Sequence, residues 1–268
     1  VMTSPQPWPA PYRSAPFAGE AVVPGSKSLT NRALILAALG DGPSTITRPL
    51  ASRDTELMAA ALTALGATIE RDGTTWTVSP IGSAGTGPAT IDCGLAGTVM
   101  RFVPLLAALG DAPVTFDGDE HARVRPMAST IATLRSLGVE VDDDGRGSLP
   151  FTVRPTGHVT GGPVSIDASS SSQFVSAPLL VGARLADGLD LRHTGSTLPS
   201  MPHIEMTVAE LRRRGVRIET PEPGRWIVHP GPISALDVEI EPDLSNAGVF
   251  IAGALVTGGS VRVRSWPR

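Results

Sequence analysis

Residues 62–78 read LTALGATIERDGTTWTV, and the pattern returns at 134–153 as LRSLGVEVDDDGRGSLPFTV and at 211–228 as LRRRGVRIETPEPGRWIV. In each copy an apolar helical stretch ends at a glycine, and two short segments joined by a turn follow. Glycine just after a helix, and a Gly-containing turn between two β-branched runs, are typical of a helix followed by a hairpin. The chain therefore contains an internal repeat, which decides its architecture before any single element does.

A second series marks the other half of the repeat. The segment LAALG ends at Gly40 and again at Gly110, and looser versions end at Gly188 and Gly258, with spacings of 70, 78 and 70 residues. Each lies in a helical stretch that follows a short β-branched run and precedes another short strand. The order of elements in one repeat is therefore predicted to be βαβαββ.

The first strands of the successive repeats are predicted at Ala21–Pro24, Ala89–Asp92, Val164–Asp167 and Val238–Glu241. Three repeats are complete, over residues 20–80, 88–155 and 163–230, whereas a fourth has only βαβ by Arg268. The fold class is α/β, with three βαβαββ repeats around a pseudo-threefold axis and a truncated fourth. We expect a domain over 25–235, with 1–24 a Pro-rich lead-in and 236–268 the first part of a second, otherwise missing domain.

The composition of the chain argues against several classes of protein. The 268 residues are 41% hydrophobic, which is ample for a packed core, and the net charge of −4 argues against nucleic-acid binding. Every apolar run is shorter than the roughly 20 residues of a membrane span, so we expect no membrane helix. The single cysteine, Cys93, excludes an internal disulfide and fits a reducing cytoplasm. No group of His, Cys or carboxylates has the spacing of a metal site.

The first helices of the repeats begin with small, hydroxyl or cationic residues: GSKSLTNR at 25–32, LAGTVMR at 95–101, SSSSQF at 169–174 and PDLSNAG at 242–248. Helix N-termini expose unpaired N–H groups, so such residues are typical of anion sites. For one helix alone, ordinary N-capping explains them as well. Because a threefold arrangement would bring three similar starts to one place, the sequence favours an anion site.

Five motifs in order carry a family resemblance: PGSKSLTNR, LAGTVMRF, VRPM with Arg125, SSSQF and the SMPHI stretch at Ser200. They resemble the signature of the EPSP synthase family, the enolpyruvyl transferases of the shikimate pathway. The resemblance covers nearly the whole chain and implies an inside-out α/β barrel whose helix N-termini face a cleft. It implies transfer of the enolpyruvyl group of phosphoenolpyruvate to the 5-hydroxyl of shikimate 3-phosphate with release of phosphate, no cofactor, a monomer, and glyphosate as inhibitor.

The resemblance also implies roles for single residues. Lys27 would contact both substrates at the reacting carbon and is the one catalytic residue assigned here. Phosphoenolpyruvate would be bound by Lys27, Gly97, Arg125 and Gln173. Shikimate 3-phosphate would be bound by Lys27, Ser28, Arg32, Ser171, Ser172, Gln173 and Ser200. The family's catalytic carboxylates and further cations would lie in the missing domain, so we expect this chain alone to bind substrate without turnover.

Other positions carry weaker expectations. Asp54 is expected to cap the second helix, and Asp243 to cap the helix at 244 rather than to act as a catalytic acid. Arg101 either supports the site or pairs with a carboxylate. Leu95 stands where many relatives have asparagine, and His203 stands where many have tyrosine, so side-chain contacts at these two positions are in doubt.

Two alternatives stay open at this stage. The UDP-N-acetylglucosamine enolpyruvyl transferases share the fold, but they commonly carry a cysteine in the loop before an Arg-Pro pair. Here that loop reads GDEHARV before Arg125, and Cys93 lies earlier, at a strand end, as a small buried hydrophobe. The other alternative is a non-catalytic module that presents an anion pocket.

Overall fold

The computed structural model describes residues 9, 12, 14–82 and 87–266. Eleven of the 24 residues of the predicted Pro-rich lead-in therefore lie outside the described residues. The chain divides into two compact units. The larger unit runs from Ser26 to Ile240, and the smaller one combines the described residues up to Gly25 with those from Glu241 onward.

Seven helices belong to the larger unit as described: α1 (Lys27–Ala38), α2 (Arg53–Ala64), α3 (Gly97–Ala107), α4 (Glu120–Arg123), α5 (Ala128–Ser136), α6 (Gln173–Gly182) and α7 (Met201–Arg213). Its strands are β2 (Ser44–Thr47), β3 (Thr68–Asp72), β4 (Thr75–Ser79), β5 (Ala89–Asp92), β6 (Val114–Asp117), β7 (Glu140–Asp142), β8 (Phe151–Arg154), β9 (Gly162–Ile166), β10 (Leu189–His193), β11 (Ile218–Glu219), β12 (Arg225–Val228) and β13 (Val238–Glu239). The smaller unit has β1 (Ala18–Ala21), α8 (Leu244–Thr257) and β14 (Ser260–Val263).

Three four-stranded sheets repeat one topology in the larger unit. Their strand orders are β13-β2-β4-β3, β5-β6-β8-β7 and β9-β10-β12-β11. In each sheet the first pair is parallel and the other two pairs are antiparallel. The α/β class and the threefold internal repeat predicted from the sequence are confirmed.

The predicted first strand of the first repeat is wrong. The sequence suggested Ala21–Pro24, but β1 covers Ala18–Ala21 and pairs in parallel with β14 in the smaller unit. The first sheet instead takes β13, where Val238 lies opposite Ile46 of β2. Val238–Glu239 therefore completes the first sheet instead of opening a fourth repeat.

The core of the larger unit lies along its first helices. Residues 30–38 of α1, 98–107 of α3 and 174–182 of α6 are all buried. Helix α6 packs on both α3 and α7, while α1 packs on α2 and α7. Strands such as β4 alternate buried and half-buried residues, so one face of the sheet covers the helices. Helices buried on all sides need apolar residues around their whole circumference, as α3 and α6 have.

The predicted helix ends and hairpins are confirmed. After α2, α5 and α7 the chain turns at Gly66, Gly138 and Gly215, with φ of 100°, 81° and 79°. This left-handed conformation costs glycine little and ends the helix. Of the hairpins, β3 and β4 are joined at Gly73, as predicted from Asp72-Gly73.

In the smaller unit α8 begins after Asp243. The Asp243 carboxylate accepts hydrogen bonds from the backbone N–H groups of Ser245 and Asn246, so its predicted role as N-cap is confirmed. Across the described part of the chain, no helix is both long and apolar enough to cross a membrane.

Candidate active site

Of the four helices that begin at predicted ligand residues, α1 is capped by the Ser26 hydroxyl, which accepts from the backbone N–H of Leu29. No side-chain hydrogen bond caps α3, α6 or α7, although Ser172 and Ser200 occupy the N-cap positions of α6 and α7. By contrast, Ser52 caps α2 through a capping box with Thr55. The first N–H groups of an uncapped helix have no intrahelical partner and carry partial positive charge. This applies most clearly to α3, because in α6 the N–H groups of Gln173 and Phe174 already donate to Ser171.

Gly97, the first residue of α3, lies at the centre of a polar cluster. A Cβ atom placed on Gly97 would lie 3.0 Å from Arg125 Nη2, 3.1 Å from Arg101 Nη1 and 3.2 Å from Gln173 Oε1. The structure thus brings together three of the four residues predicted to bind phosphoenolpyruvate, and adds Arg101. Any side chain at this position would crowd the three groups, so the approach of these groups to the backbone favours glycine.

Arg125 extends from a loop to the residues that precede α3. Its Nη1 donates to the backbone oxygen of Leu95 over 2.9 Å, so the backbone at Leu95 fixes Arg125 whatever side chain stands there. The loop is fastened by two bidentate ion pairs, Arg123 with Asp117 and Arg53 with Asp119. The short helix α4 within this loop was not predicted, because four residues give no helical period.

Arg101 is buried, with only 6% of its surface exposed. Its Nη1 donates to Gln173 Oε1 over 2.6 Å, and its guanidinium lies over the ring of Phe174, 5.1 Å from the centroid. Its Nε is buried without a hydrogen-bond partner. Burial first, and the charge of Arg125 second, lower the pKa of Arg101 to about 10. Of the two roles expected for Arg101, support of the site agrees with this contact, because its partner is the Gln173 amide and not a carboxylate.

Arg32 is even more deeply buried, with 2% of its surface exposed. Its Nε donates to Thr207 Oγ1 over 2.7 Å, and its Nη2 donates to the backbone oxygen of His203 and to Ser176 Oγ. Its Nη1 donates to the backbone oxygen of Ser28. Burial lowers its pKa to about 10, and the nearby Glu210 carboxylate opposes that shift. Arg32 thereby ties α1 to α6 and α7, and a direct ligand contact for it stays a prediction.

Lys27 pairs with Asp54 on α2, Nζ to Oδ2 over 2.9 Å, and its side chain is 49% exposed. The expectation that Asp54 caps α2 is wrong, because Ser52 occupies that position and Asp54 accepts from Lys27 instead. An exposed ion pair of this kind contributes roughly 0–1 kcal/mol to stability. Separating the Lys27 ammonium group from Asp54, so that it can bind another anion, would therefore cost little free energy.

The predicted phosphate serines lie at two helix starts. Ser171 and Ser172 precede α6, and Ser171 Oγ accepts from the backbone N–H of Gln173. Ser200 precedes α7 in a left-handed conformation with φ of 55°, which is unfavourable for a residue with a Cβ and is found more often at functional sites. The backbone oxygen of Ser200 accepts from the N–H of His203.

His203 is exposed as a residue. Partial desolvation of its imidazole, and secondly the charge of Arg32, lower the pKa of that imidazole. The imidazole of His203 is thus biased to the neutral form, and a contact with a ligand phosphate there stays a prediction.

The sequence reasoning missed the buried polar links between the helices. Asn31 Nδ2 donates to Thr98 Oγ1 over 2.7 Å, which joins α1 to α3 directly beside the cluster. The oxygen of the same amide, Asn31 Oδ1, is buried without a partner. Asn31 lies inside the GSKSLTNR motif, shortly before the apolar run of α1, and a polar residue at that position was the available signal.

Cys93 is fully buried, and burial raises the pKa of its thiol to about 12. This confirms the prediction that it is a buried hydrophobe. Among the described residues, no three or more His, Cys, Asp or Glu side chains are grouped to hold a metal ion.

The chain was compared with known proteins. A family model described as EPSP synthase (3-phosphoshikimate 1-carboxyvinyltransferase) matches residues 11–268. A curated 3-phosphoshikimate 1-carboxyvinyltransferase of Mycobacterium ulcerans (strain Agy99) is 55% identical over 271 residues, which cover 99% of this chain and 62% of that relative. The chain thus spans less than two thirds of that relative's length.

Two solved structures of EPSP synthase from Acinetobacter baumannii share the fold. They match with TM-scores of 0.79 and 0.78 at 23% identity, over 94% and 92% of this chain and 58% and 55% of theirs. With the family model matched over nearly all of the sequence, the chain belongs to the EPSP synthase (3-phosphoshikimate 1-carboxyvinyltransferase) family.

Proposed function

We propose that this chain binds shikimate 3-phosphate and phosphoenolpyruvate and forms the substrate-binding part of an enzyme that transfers the enolpyruvyl group to the 5-hydroxyl of shikimate 3-phosphate. We place the domain that does so at residues 26–240, a few residues beyond the expected 25–235, because β13 completes its first sheet. The observation that carries the proposal is the cluster at Gly97, where two arginines and an amide surround an uncapped helix start.

Phosphoenolpyruvate fits the Gly97 cluster. Arg125 lies close enough to lower the pKa of Arg101, and no Asp or Glu among the described residues shifts the pKa of Arg101. Two neighbouring cations without a carboxylate favour a compact dianion, and guanidinium groups bind phosphate and carboxylate oxygens in bidentate fashion. Glyphosate, also a compact anion, would compete at the same place.

Shikimate 3-phosphate fits the serine-lined helix starts. Ser171, Ser172 and Ser200 would donate to its phosphate, and Ser28 would contact the ring. Arg32 contributes at least by fixing the backbone oxygens of Ser28 and His203. Hydroxyl and N–H donors at the positive ends of helices are well suited to a phosphate ester.

Lys27 is the proposed catalytic residue on this chain. The reaction adds the 5-hydroxyl across the enol double bond, with a proton going to the methylene carbon, and then eliminates phosphate. Lys27 lies at the start of α1, and among the described residues its ammonium group pairs with Asp54. An ammonium group there can stabilise the charge on phosphoenolpyruvate as the new C–O bond forms. No cofactor is needed, and we expect a monomer in the cytoplasm, in keeping with the single free cysteine.

The runner-up is the UDP-N-acetylglucosamine enolpyruvyl transferase reaction. The loop at 118–124 has no cysteine, and the sulfur of Cys93 is buried as a protonated thiol, so this chain lacks the reactive cysteine common in that family. A module that binds anions without catalysis remains the second alternative.

Calorimetry on this chain tests the proposal. Shikimate 3-phosphate should bind, and shikimate, which lacks the phosphate, should bind at least about 100-fold more weakly because two or more charge-assisted hydrogen bonds are lost. UDP-N-acetylglucosamine is the control for the runner-up. Equal affinity for shikimate, or tighter binding of the nucleotide sugar, would contradict the proposal.

A further inference from the structure

We propose that His193 is a positioning residue that joins two loops and thereby sets the spacing of the serines around the substrate phosphate. The α6 loop (residues 167–172) contains the two predicted phosphate serines that precede α6. The α7 loop (residues 194–200) ends at Ser200, the third of these serines. This inference rests on the function proposed above, and it concerns a histidine outside both the sequence motifs and the Gly97 cluster.

Both ring nitrogens of His193 contact backbone groups of these loops. The backbone N–H of Ala168, in the α6 loop, donates to His193 Nδ1 over 3.2 Å. His193 Nε2 lies 3.1 Å from the backbone oxygen of Thr197, in the α7 loop. Because a backbone N–H only donates and a carbonyl oxygen only accepts, Nδ1 must be unprotonated and Nε2 must carry the proton. The neutral Nε2–H tautomer satisfies both contacts, whereas a charged ring would place two N–H groups against each other at Ala168.

The backbone groups that His193 contacts are close to the phosphate serines. The backbone oxygen of Ala168, a fully buried residue, accepts from the N–H of Ser171 over 3.1 Å. Thr197 precedes Ser200 by three residues, and Ser200 has the left-handed conformation described above. His193 therefore holds one backbone group beside each set of serines, and through them it fixes how far apart the two sets lie.

Gly195 shows how closely the two loops approach each other. A Cβ atom on Gly195, in the α7 loop, would lie 2.7 Å from His193 Cε1. It would come closer still to Ser169 Oγ and Asp167 Oδ1, both in the α6 loop. Non-bonded carbon atoms pack at about 3.5–4.0 Å, so a side chain here would force the loops apart. The same approach that His193 bridges therefore requires glycine at this position.

A serine, a histidine and an aspartate meet here, but their hydrogen bonds are not those of a nucleophilic triad. Ser169 Oγ donates to Asp167 Oδ1 over 2.6 Å, and the backbone N–H of Ser169 donates to the same oxygen over 2.9 Å. Both nitrogens of His193 are occupied by backbone groups. In a triad the serine would instead donate to the imidazole, and the aspartate would orient that ring. The geometry thus gives His193 a role in holding the loops and not in activating Ser169.

The ligand-free chain tests both contacts directly. Hydrogen exchange of the Ala168 N–H should be slow in the wild type and at least about tenfold faster in His193→Ala, because the acceptor is removed. His193→Asn keeps an acceptor near the Nδ1 position and should retain most of the protection. In a ¹⁵N spectrum of the imidazoles, the His193 signals, identified by their loss in His193→Ala, should be those of the Nε2–H tautomer.

Binding then separates positioning from general structure. The measurement is the ratio of the affinities for shikimate 3-phosphate and shikimate, taken by calorimetry at about pH 8, where histidines are usually neutral. In His193→Ala this ratio should fall about tenfold, because the serines are no longer held at the spacing of the phosphate. His193→Asn should lose less. Gly195→Ala, which keeps the histidine but separates the loops, should lower the ratio by a similar factor.

His229→Ala is the matched control. His229 is also half-buried, and its Nε2 lies 2.8 Å from Glu219 Oε1, but neither residue belongs to the α6 loop or the α7 loop. This variant should change neither the affinity ratio nor the exchange of the Ala168 N–H. In a Ser200→Ala background, His193→Ala should lower the ratio by less than about threefold, because one of the positioned hydroxyl groups is already gone.

Three results would overturn the proposal: unchanged protection of Ala168 in His193→Ala, an Nδ1–H tautomer of His193, or equal losses of affinity for shikimate 3-phosphate and shikimate. If His193→Ala does not fold, the same comparisons are made with His193→Phe, which keeps a ring but neither nitrogen. A wild-type chain that does not bind shikimate 3-phosphate would refute the proposed function. The exchange and tautomer measurements need no ligand, and they would still decide whether His193 joins the two loops.

Discussion

Arg32 and Arg101 are both buried arginines beside the predicted substrate site, with 2% and 6% of their surface exposed and pKa values lowered to about 10. Their surroundings differ. Arg32 donates to four oxygen atoms from three helices, and a carboxylate, that of Glu210, lies near enough to favour its charged form. Arg101 donates to one amide oxygen, keeps an unpartnered Nε, and has another cation, Arg125, as its neighbour.

Under the proposed function, Arg32 is a structural cation, whereas the charge of Arg101 is balanced only when the ligand binds. A buried charge is costly unless it is paired and hydrogen-bonded, so Arg32 is stabilised by the protein alone. Arg101 and Arg125 repel each other in the free protein, and an anion at Gly97 would remove that repulsion. Unpaired nitrogens alone do not identify such a site, since Arg214 has them too. The nearby glycine and the uncapped helix start make the distinction.

The largest expected effect is on stability, at Arg32. Replacement by Met in Arg32→Met leaves the buried oxygens of Thr207, Ser176 and two backbone groups without their donor, and should lower the free energy of unfolding by about 3–5 kcal/mol. Arg101→Met removes an uncompensated charge and should change it by less than about 1 kcal/mol. Urea unfolding measures both. A larger loss at Arg101 than at Arg32 would reverse the comparison.

Gly97→Ala should act on ligand binding with the fold retained. The added methyl would lie 3.0–3.2 Å from Arg125, Arg101 and Gln173, in the space proposed for the anion. Phosphoenolpyruvate and glyphosate should each bind at least about tenfold more weakly, and shikimate 3-phosphate should be affected less than about twofold. Calorimetry with the three ligands is the measurement. Equal weakening of all three would indicate a general disturbance of the fold.

Lys27 and Asp54 provide a test of opposite signs. Lys27→Met should weaken phosphoenolpyruvate binding, because a cation is removed from the site. Asp54→Asn should strengthen it about two- to threefold, because it removes a negative charge that competes for the Lys27 ammonium group. Both variants should keep their stability within about 1 kcal/mol, since the pair is partly exposed. Weaker binding in Asp54→Asn would mean that Asp54 itself supports the ligand.

The smallest expected effect is at Cys93. With a pKa of about 12, the folded chain has about one thiolate in a thousand at pH 9, and the sulfur is buried. Its reaction with a thiol reagent should therefore be limited by unfolding and should be fast only in urea. Rapid reaction of the native chain would reopen the alternative that uses a reactive cysteine.

The sequence predicted what depends on local signals. Helix ends at Gly66 and Gly138, the hairpin at Gly73 and the N-cap at Asp243 each follow from a few adjacent residues. It failed where partners are distant along the chain. The pairing of Val238 with Ile46 in the first sheet joins two strands that are far apart in the sequence of the larger unit. Nothing in either short strand specifies that pairing.

For the site, the sequence identified Gly97, Arg125 and Gln173, which the structure brings together. It could not separate Arg32 from Arg101, because the burial and the partners of a charged side chain are set by neighbouring helices. Nor did it show that Asp54 would pair with Lys27. The helix starts could be predicted because glycine and serine recur there from repeat to repeat, whereas tertiary hydrogen bonds leave no local pattern in the sequence.

The central claim is that Arg101, Arg125 and Gln173 form an anion site at Gly97, and a crystal structure of the chain with bound phosphoenolpyruvate tests it most directly. We predict ligand oxygens about 2.7–2.9 Å from the guanidinium of Arg125, beside the backbone of Gly97. Phosphoenolpyruvate bound away from Gly97, or Arg101 turned from Gln173 towards a carboxylate, would contradict it.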